Sequence, residues 1–467
     1  MRNMLRQLAV LSAVGGGWMG TLGGMSAACL ASEPAAVSFR RDIAPILLDN
    51  CLACHSPKNA EGGYRVDCYA ELLKAGDSGA TPVEPQQTSD SELLRRIACS
   101  DESERMPAES DPLAAGQIAL VQRWIAEGAQ FDGDDPQQPL ALVIPPADYP
   151  TGPQVYAHPL PIAALAFSPD GRQLATSGYY EVLLWDVVDG KLQRRIGNLG
   201  QRIYALQFSP DGRSLAVACG DPGRTGEVRV VDFETGKISG VPVRTHDVVL
   251  DIAYRPDGQR LAVASADSTV RVVDMSSQQV VLSLASHADW VTAVAWNADG
   301  SRMASASRDK TVKVYQAETG DLIANYQGHS ATVRDVAWLG DGSQAVSVGA
   351  DHKLHRWEIE GVKKVGEVDL GAEGFQVVLW DQQALVPCAD GRLRLIDVPH
   401  NKVIRDFGGY NDWVLSAALL APPPTAVVAG QEQSAEPPRL AGGSFNGQVR
   451  VWRSEDAELL QQWLAKP

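Results

Sequence analysis

The chain is short of the residues from which redox and metal centres are built. Its 467 positions hold only 8 histidines, 7 cysteines and 7 methionines. Cysteines this sparse exclude a scaffold held together by disulfides. Positive charge is also in deficit: 57 acidic residues against 41 Lys and Arg leave a net charge of −16. That balance excludes recruitment to nucleic acid by bulk electrostatics and fits a basic partner or a cationic ligand better. After Ser32 no apolar run is long enough to cross a bilayer. Nucleophile triads, carboxylate pairs at an assignable spacing and phosphate-cradling glycine loops are all missing, so no motif points to catalysis and a non-enzymatic role is expected.

What is present begins with a targeting pattern. Arg2 and Arg6 precede an uncharged stretch from Gln7 to Ser32, rich in Ala, Leu and Gly, which ends in the small residues Ala27, Ala28 and Ala31. Residues 1–31 therefore read as a signal peptide, and the rest of the chain as exported, periplasmic or in the cell envelope. Two alternatives stay open. Leu8 to Ala31 is long enough for an uncleaved anchor, and Ser26-Ala27-Ala28-Cys29 loosely matches a lipoprotein cleavage box that would lipidate Cys29. Either would tether the protein to a membrane.

The informative cysteines are in Cys51-Leu52-Ala53-Cys54-His55, a C-x-x-C-H. This spacing suits covalent haem attachment: two thiols add to the vinyl groups, and the adjacent imidazole is held beneath the iron. A zinc half-site would need more ligands, yet His55 is the only histidine before His158 and no second C-x-x-C follows. For a distal ligand the region offers Met106, the only methionine between Met25 and Met275. A His55/Met106 pair would raise the reduction potential. Alternatively Met106 only packs, leaving the iron five-coordinate or bound by Lys58 or Lys74. Helices are predicted over Arg40–Asn50, Ser91–Ala98 and about Ala114–Ala129, the last stopped by Gly128.

Residues 37–132 resemble the cytochrome c domains of planctomycete-type bacterial proteins. The matching parts are Val37-Ser38-Phe39, the C-x-x-C-H itself, Gly62-Gly63 with Arg65 and Asp67, Arg105-Met106-Pro107, and Ile118 to Ala129 around Arg123-Trp124-Ile125. The resemblance implies one haem c attached through Cys51 and Cys54, with His55 proximal and Met106 distal. Cys68 stands where a serine-like residue is usual, and Cys99 is a further extra. These two either form a disulfide or remain buried free thiols.

From Pro153 onward the chain repeats. Turns of one type recur at Ser168–Gly171, Ser209–Gly212, Arg255–Gly258, Asn297–Gly300 and Leu339–Gly342, each between apolar runs. A second series, Trp185-Asp186, Val231-Asp232, Val273-Asp274, Tyr315-Gln316, Trp357-Glu358, Ile396-Asp397 and Trp452-Arg453, steps by 46, 42, 42, 42, 39 and 56 residues. Seven occurrences at this period resemble the WD-repeat family, which implies a mainly β fold: a seven-bladed propeller over 153–467, joined by a linker at 133–152 to a small all-α haem domain. His287 with Asp309 and His329 with Asp351, each pair 22 residues apart, resemble the family's structural hydrogen-bonding side chains rather than metal ligands. His352 and His355 have a ligand-like spacing, but no third ligand is evident. The 56-residue interval holds a Pro-rich insertion, Ala421–Pro424 and Gln431–Pro438, expected as an exposed loop. Strands near Gln154–Ala157 or Glu458–Leu464 are equally suited to close the ring.

The combined expectation is an exported cytochrome that transfers electrons, with the propeller as docking platform for an unidentified redox or protein partner. The alternative is an interaction scaffold whose haem is structural or senses a gas.

Overall fold

The computed structural model describes residues 36–420 and 438–467, apart from 58, 109, 146 and 147. The signal or anchor segment 1–31 with Cys29, Lys58, and the insertion up to residue 437 therefore lie outside the described residues.

The N-terminal part is helical. A π-turn over Phe39–Ile43 leads into α1, Ala44–Asn50, followed by α2, Tyr69–Leu72, α3, Glu92–Ile97, α4, Ala115–Ala126, and α5, Leu140–Val143. Ser38 caps the first turn by accepting the Arg41 N–H at 3.1 Å. The C-terminal end of α4 is set by Gly128, whose φ of 100° lets the Ala129 N–H reach back to the Trp124 carbonyl at 2.8 Å. Phe39, Ile43, Leu47, Trp124 and Ile125 form the core, and Phe39 packs edge-on against Tyr69 at 5.1 Å. The segment 133–152, expected to be a linker, instead carries α5, whose Leu140 and Val143 are buried in this same core.

The remainder is a ring of seven four-stranded antiparallel sheets, each built from strands consecutive in sequence. The second motif series ends the third strand of every blade, from Val182–Asp186 in blade 1 to Gln448–Arg453 in blade 7. The first series turns the first strand into the second in blades 1 to 5, with glycine at positive φ, 67° at Gly171 for example. Blade 7 uses Leu459–Leu464 as its own outer strand, so among the described residues the ring closes without strand exchange. The seam is held by Ile162, whose N–H donates to the Ser444 carbonyl at 3.1 Å and whose carbonyl accepts from Ser416 Oγ at 2.6 Å. Trp463 packs against Trp185 at 6.1 Å.

The two parts are docked. In blade 2 the fully buried Arg229 pairs with Glu227 at 2.7 Å and lies over the Tyr149 ring at 4.6 Å. Arg244 donates to the Ile144 carbonyl just after α5, and Arg40 Nε to the Val143 carbonyl at 2.9 Å. The Tyr149 N–H donates to Asn198 Oδ1 at 2.9 Å. The chain between the domains is therefore pinned to the propeller by side chains of blades 1 and 2.

Blade 5 carries a buried aromatic stack. His329 donates from Nδ1 to Asp351 at 2.8 Å and accepts at Nε2 from Ser347 at 2.8 Å, and His287 repeats this with Asp309 and Ser305 in blade 4. His355 stacks on His329 at 4.0 Å and hydrogen-bonds the Tyr326 hydroxyl at 2.9 Å.

Two outcomes follow. Arg229→Met removes the nearer of the two cations that face Glu227, leaving Arg244 at 3.5 Å, and should cost about 3 kcal/mol; limited proteolysis should then cut between 145 and 160 several-fold faster than in the wild type. Burial, with His329 next, depresses His355 to about 4, whereas the unfolded imidazole takes a proton below about 6.5. Its stabilising contribution is thus complete above about 6.5 and lost as pH falls toward about 4, by about 2 to 3 kcal/mol. In melting curves His355→Phe should flatten that acid limb.

Candidate functional site

The C-x-x-C-H is a continuation of α1. Cys51 N–H donates to the Leu47 carbonyl at 3.0 Å and His55 N–H to the Cys51 carbonyl at 3.1 Å, so one turn of backbone presents both sulfurs and the imidazole. The following loop is tied back by the Glu61 N–H to the Cys54 carbonyl at 3.2 Å and by the Val66 N–H to the His55 carbonyl at 2.9 Å. Cys54 is exposed, Cys51 half-buried, and both thiols are free.

His55 is oriented by backbone. Its Nδ1 lies 3.3 Å from the Tyr64 carbonyl, which can only accept, so Nδ1 carries the proton and Nε2 keeps its lone pair. Tyr64 is fixed in turn by its hydroxyl, which donates to the Leu72 carbonyl at 2.9 Å, and its ring meets His55 edge-on at 5.4 Å. Burial pushes the Tyr64 phenol well above its ordinary range. Nothing in the sequence pointed to Tyr64, because its contribution here is a carbonyl that every residue has.

Met106 arrives from the other side. Its N–H donates to the Arg96 carbonyl at 3.1 Å, hanging the loop on the end of α3, and its half-buried side chain packs on the helical core. Cys51, His55 and Met106 line one cavity of about 240 Å³, with Tyr64, Val66, Leu93 and Ile97 as apolar walls. Glu61, Asp77, Glu92 and Arg96 add the charged part of its lining. Apolar walls with a few convergent polar groups are those of a cofactor pocket. The donors fit a haem: the Cys51 sulfur on one wall with the exposed Cys54 on the same backbone turn, a nitrogen with its lone pair free, and a thioether on the same cavity. Lys74 is held by Glu71 at 2.6 Å and is not among the residues lining the cavity.

Other expectations resolve differently. Cys68 is buried with Sγ 3.8 Å from Gln137 Oε1, Cys99 is half-buried, and no disulfide joins them. Arg65 grips Asp67 through two bonds of 2.8 and 2.9 Å. The histidine with near ligands is His355 rather than His352: polar atoms of His329, Asp351 and His355 lie within 4.8 Å of one another. The two rings are within 16° of parallel at 4.0 Å, so their in-plane lone pairs cannot converge on one ion. This cluster is structural.

Residues 51–110 match the family model described as planctomycete cytochrome C. The model for the WD domain, G-beta repeat, matches 153–186, 278–316 and 320–358, and that for the anaphase-promoting complex subunit 4 WD40 domain matches 240–293. A WD repeat-containing protein WDS homolog from Arabidopsis thaliana is 25% identical over 123 residues, 26% of this chain. The chain spans only 24% of that relative's length. The molecule thus joins a segment similar to planctomycete cytochromes c to a seven-bladed WD-repeat propeller, an architecture that generally mediates protein interaction.

Burial, then Cys54, raises the Cys51 thiol to about 11. In haem-free protein at mildly alkaline pH, iodoacetamide should therefore label the exposed Cys54 first and Cys51 at least tenfold more slowly, as read by peptide mass spectrometry.

Proposed function

We propose that this chain is an exported c-type cytochrome, periplasmic or in the cell envelope, that transfers single electrons and uses its propeller as a platform for a protein partner. The observation that carries the reading is the orientation of His55, with Nδ1 committed to the Tyr64 carbonyl and Nε2 left to ligate, on the cavity that Met106 also lines. In this reading Cys51 and Cys54 hold haem c covalently, His55 is proximal and Met106 distal. When bound, the haem supplies an iron that cycles between two oxidation states, which needs a tuned potential and an exposed edge rather than a substrate pocket. The chain's own residues do the rest. The Tyr64 carbonyl holds the imidazole proton and increases its basicity, and Val66, Leu93 and Ile97 exclude water from the cavity. The seam at Arg229, Tyr149 and α5 holds that cavity at a fixed place relative to the propeller. The role is that of a carrier, not a catalyst.

Expression with the native N-terminus in a host that matures c-type haem, followed by pyridine haemochrome and oxidised spectra, tests it. Covalent haem is expected in the wild type, with a sulfur-to-iron band that disappears in Met106→Ala. Covalent haem without that band would favour an open iron and gas sensing. Absence of covalent haem overturns the cytochrome reading and leaves a propeller scaffold.

A further inference from the structure

The carbonyl that orients His55 belongs to a segment held from outside. Tyr64 ends the loop 60–64, which packs backbone on backbone against a second loop, 74–79. The Asp77 N–H donates to the Gly62 carbonyl at 2.7 Å, and the Gly63 N–H to the Ala60 carbonyl at 2.9 Å. The second loop is closed by the Gly79 N–H on the Gly76 carbonyl at 3.0 Å. It follows α2, whose Leu72 carbonyl already takes the Tyr64 hydroxyl. Phenol and backbone around Tyr64 are thus both fixed by one neighbouring stretch, 72–77.

Three glycines of these loops, Gly62, Gly63 and Gly79, have φ between 64° and 68°, where side chains are strained. Gly76 lies outside that region, so at this position space rather than backbone conformation excludes a side chain. A Cβ on Gly76 would stand 2.5 Å from the Gly62 carbonyl oxygen, 3.0 Å from Tyr64 Cβ and 3.1 Å from the Tyr64 nitrogen. The oxygen and the nitrogen are backbone and cannot rotate aside, so residues 62–64 would have to move together. The crowded oxygen is also the one that Asp77 holds. One methyl group would therefore break the clasp and displace the segment that carries the Tyr64 carbonyl.

We propose that Gly76 is a positioning residue for the proximal ligand: by letting the 74–79 loop lie against Gly62 and Tyr64, it sets the carbonyl that orients and tunes His55. This rests on the cytochrome reading above. The distance from His55 Nδ1 to the Tyr64 oxygen, 3.3 Å, is already long for such a bond, so a small further displacement weakens it steeply. A weaker bond leaves the imidazole less basic and a poorer electron donor. With haem bound, that favours ferrous over ferric iron and raises the potential.

The test titrates the haem-loaded full chain for the wild type, Gly76→Ala and Gly79→Ala. Gly79 is the control, because alanine there strains the same loop through φ while its Cβ meets nothing within 4 Å. At the wild-type midpoint, Gly76→Ala should favour the reduced form by about tenfold, a rise of about 59 mV for one electron. In NMR spectra of the reduced protein its His55 Nδ1–H should exchange with solvent faster. Gly79→Ala should lower the melting temperature and move neither reading. Equal shifts in both variants, or no shift in Gly76→Ala, overturn the proposal. A wild type that takes up no haem sinks the cytochrome reading, and the clasp is then decided in haem-free protein. There the Asp77 amide, corrected for intrinsic rate, should exchange about tenfold more slowly than that of Ser78, and Gly76→Ala should remove the difference. An Asp77 amide as fast as Ser78 in the wild type, or still protected in Gly76→Ala, overturns the positioning role.

Discussion

A four-stranded sheet of three to eight residues per strand cannot cover both of its faces, and everything else in this molecule depends on how that burial is completed. Leu215 and Val217 of blade 2 close over Ala175 and Leu184 of blade 1, and Ala345 and Trp357 of blade 5 over Ala304 and Val314 of blade 4. At the seam, Leu165 and Trp185 of blade 1 share one cluster with Val449 and Val451 of blade 7. Since each blade lends a face to its neighbour, the innermost strands come within reach of one another. Trp296 and Trp338 can then donate across blades to the Ala253 and Ala295 carbonyls at 2.9 and 3.0 Å. The rigid ring in turn lets blade 2 keep Arg229 and Glu227 out of water, where an ion pair survives only with good geometry and further partners.

The helical domain solves a different problem with similar economy. One extra turn at the end of α1 carries two thiols and an imidazole, and the imidazole is oriented by a backbone carbonyl of the next loop. The opposite wall comes from a separate loop suspended from α3. A cavity assembled from two independently anchored walls keeps its shape without a large core, which suits a small domain.

Much of this was legible in the residues. The Trp-Asp-like positions fall at the end of the third strand because every blade repeats one side-chain pattern, and the recurrent Asp-Gly turns announce the hairpins. The helices over Glu92–Ile97 and Ala115–Ala126 follow from apolar spacing and from Gly128. Cys51, His55 and Met106, which line one cavity, were singled out by residue type and spacing alone. The Tyr64 carbonyl was not, because a backbone partner leaves no trace in side-chain identity. Helix α5 is too short for periodicity to register, and it follows a stretch rich in Asp, Pro and Gln that reads as linker. Nothing in the sequence marks the ion pair of Arg229 and Glu227 as buried, because only tertiary packing takes it out of water. Ring closure was undecidable because two short segments could each have paired with blade 7.

The absence of strand exchange has a consequence for biogenesis. Every blade is made only of neighbouring residues, and the last needs no strand from the first. Blades can therefore form in the order in which they are synthesised, each adding to the edge of the one before. The amino-terminal domain is free to mature separately, because no part of it has to be held back to complete the circle.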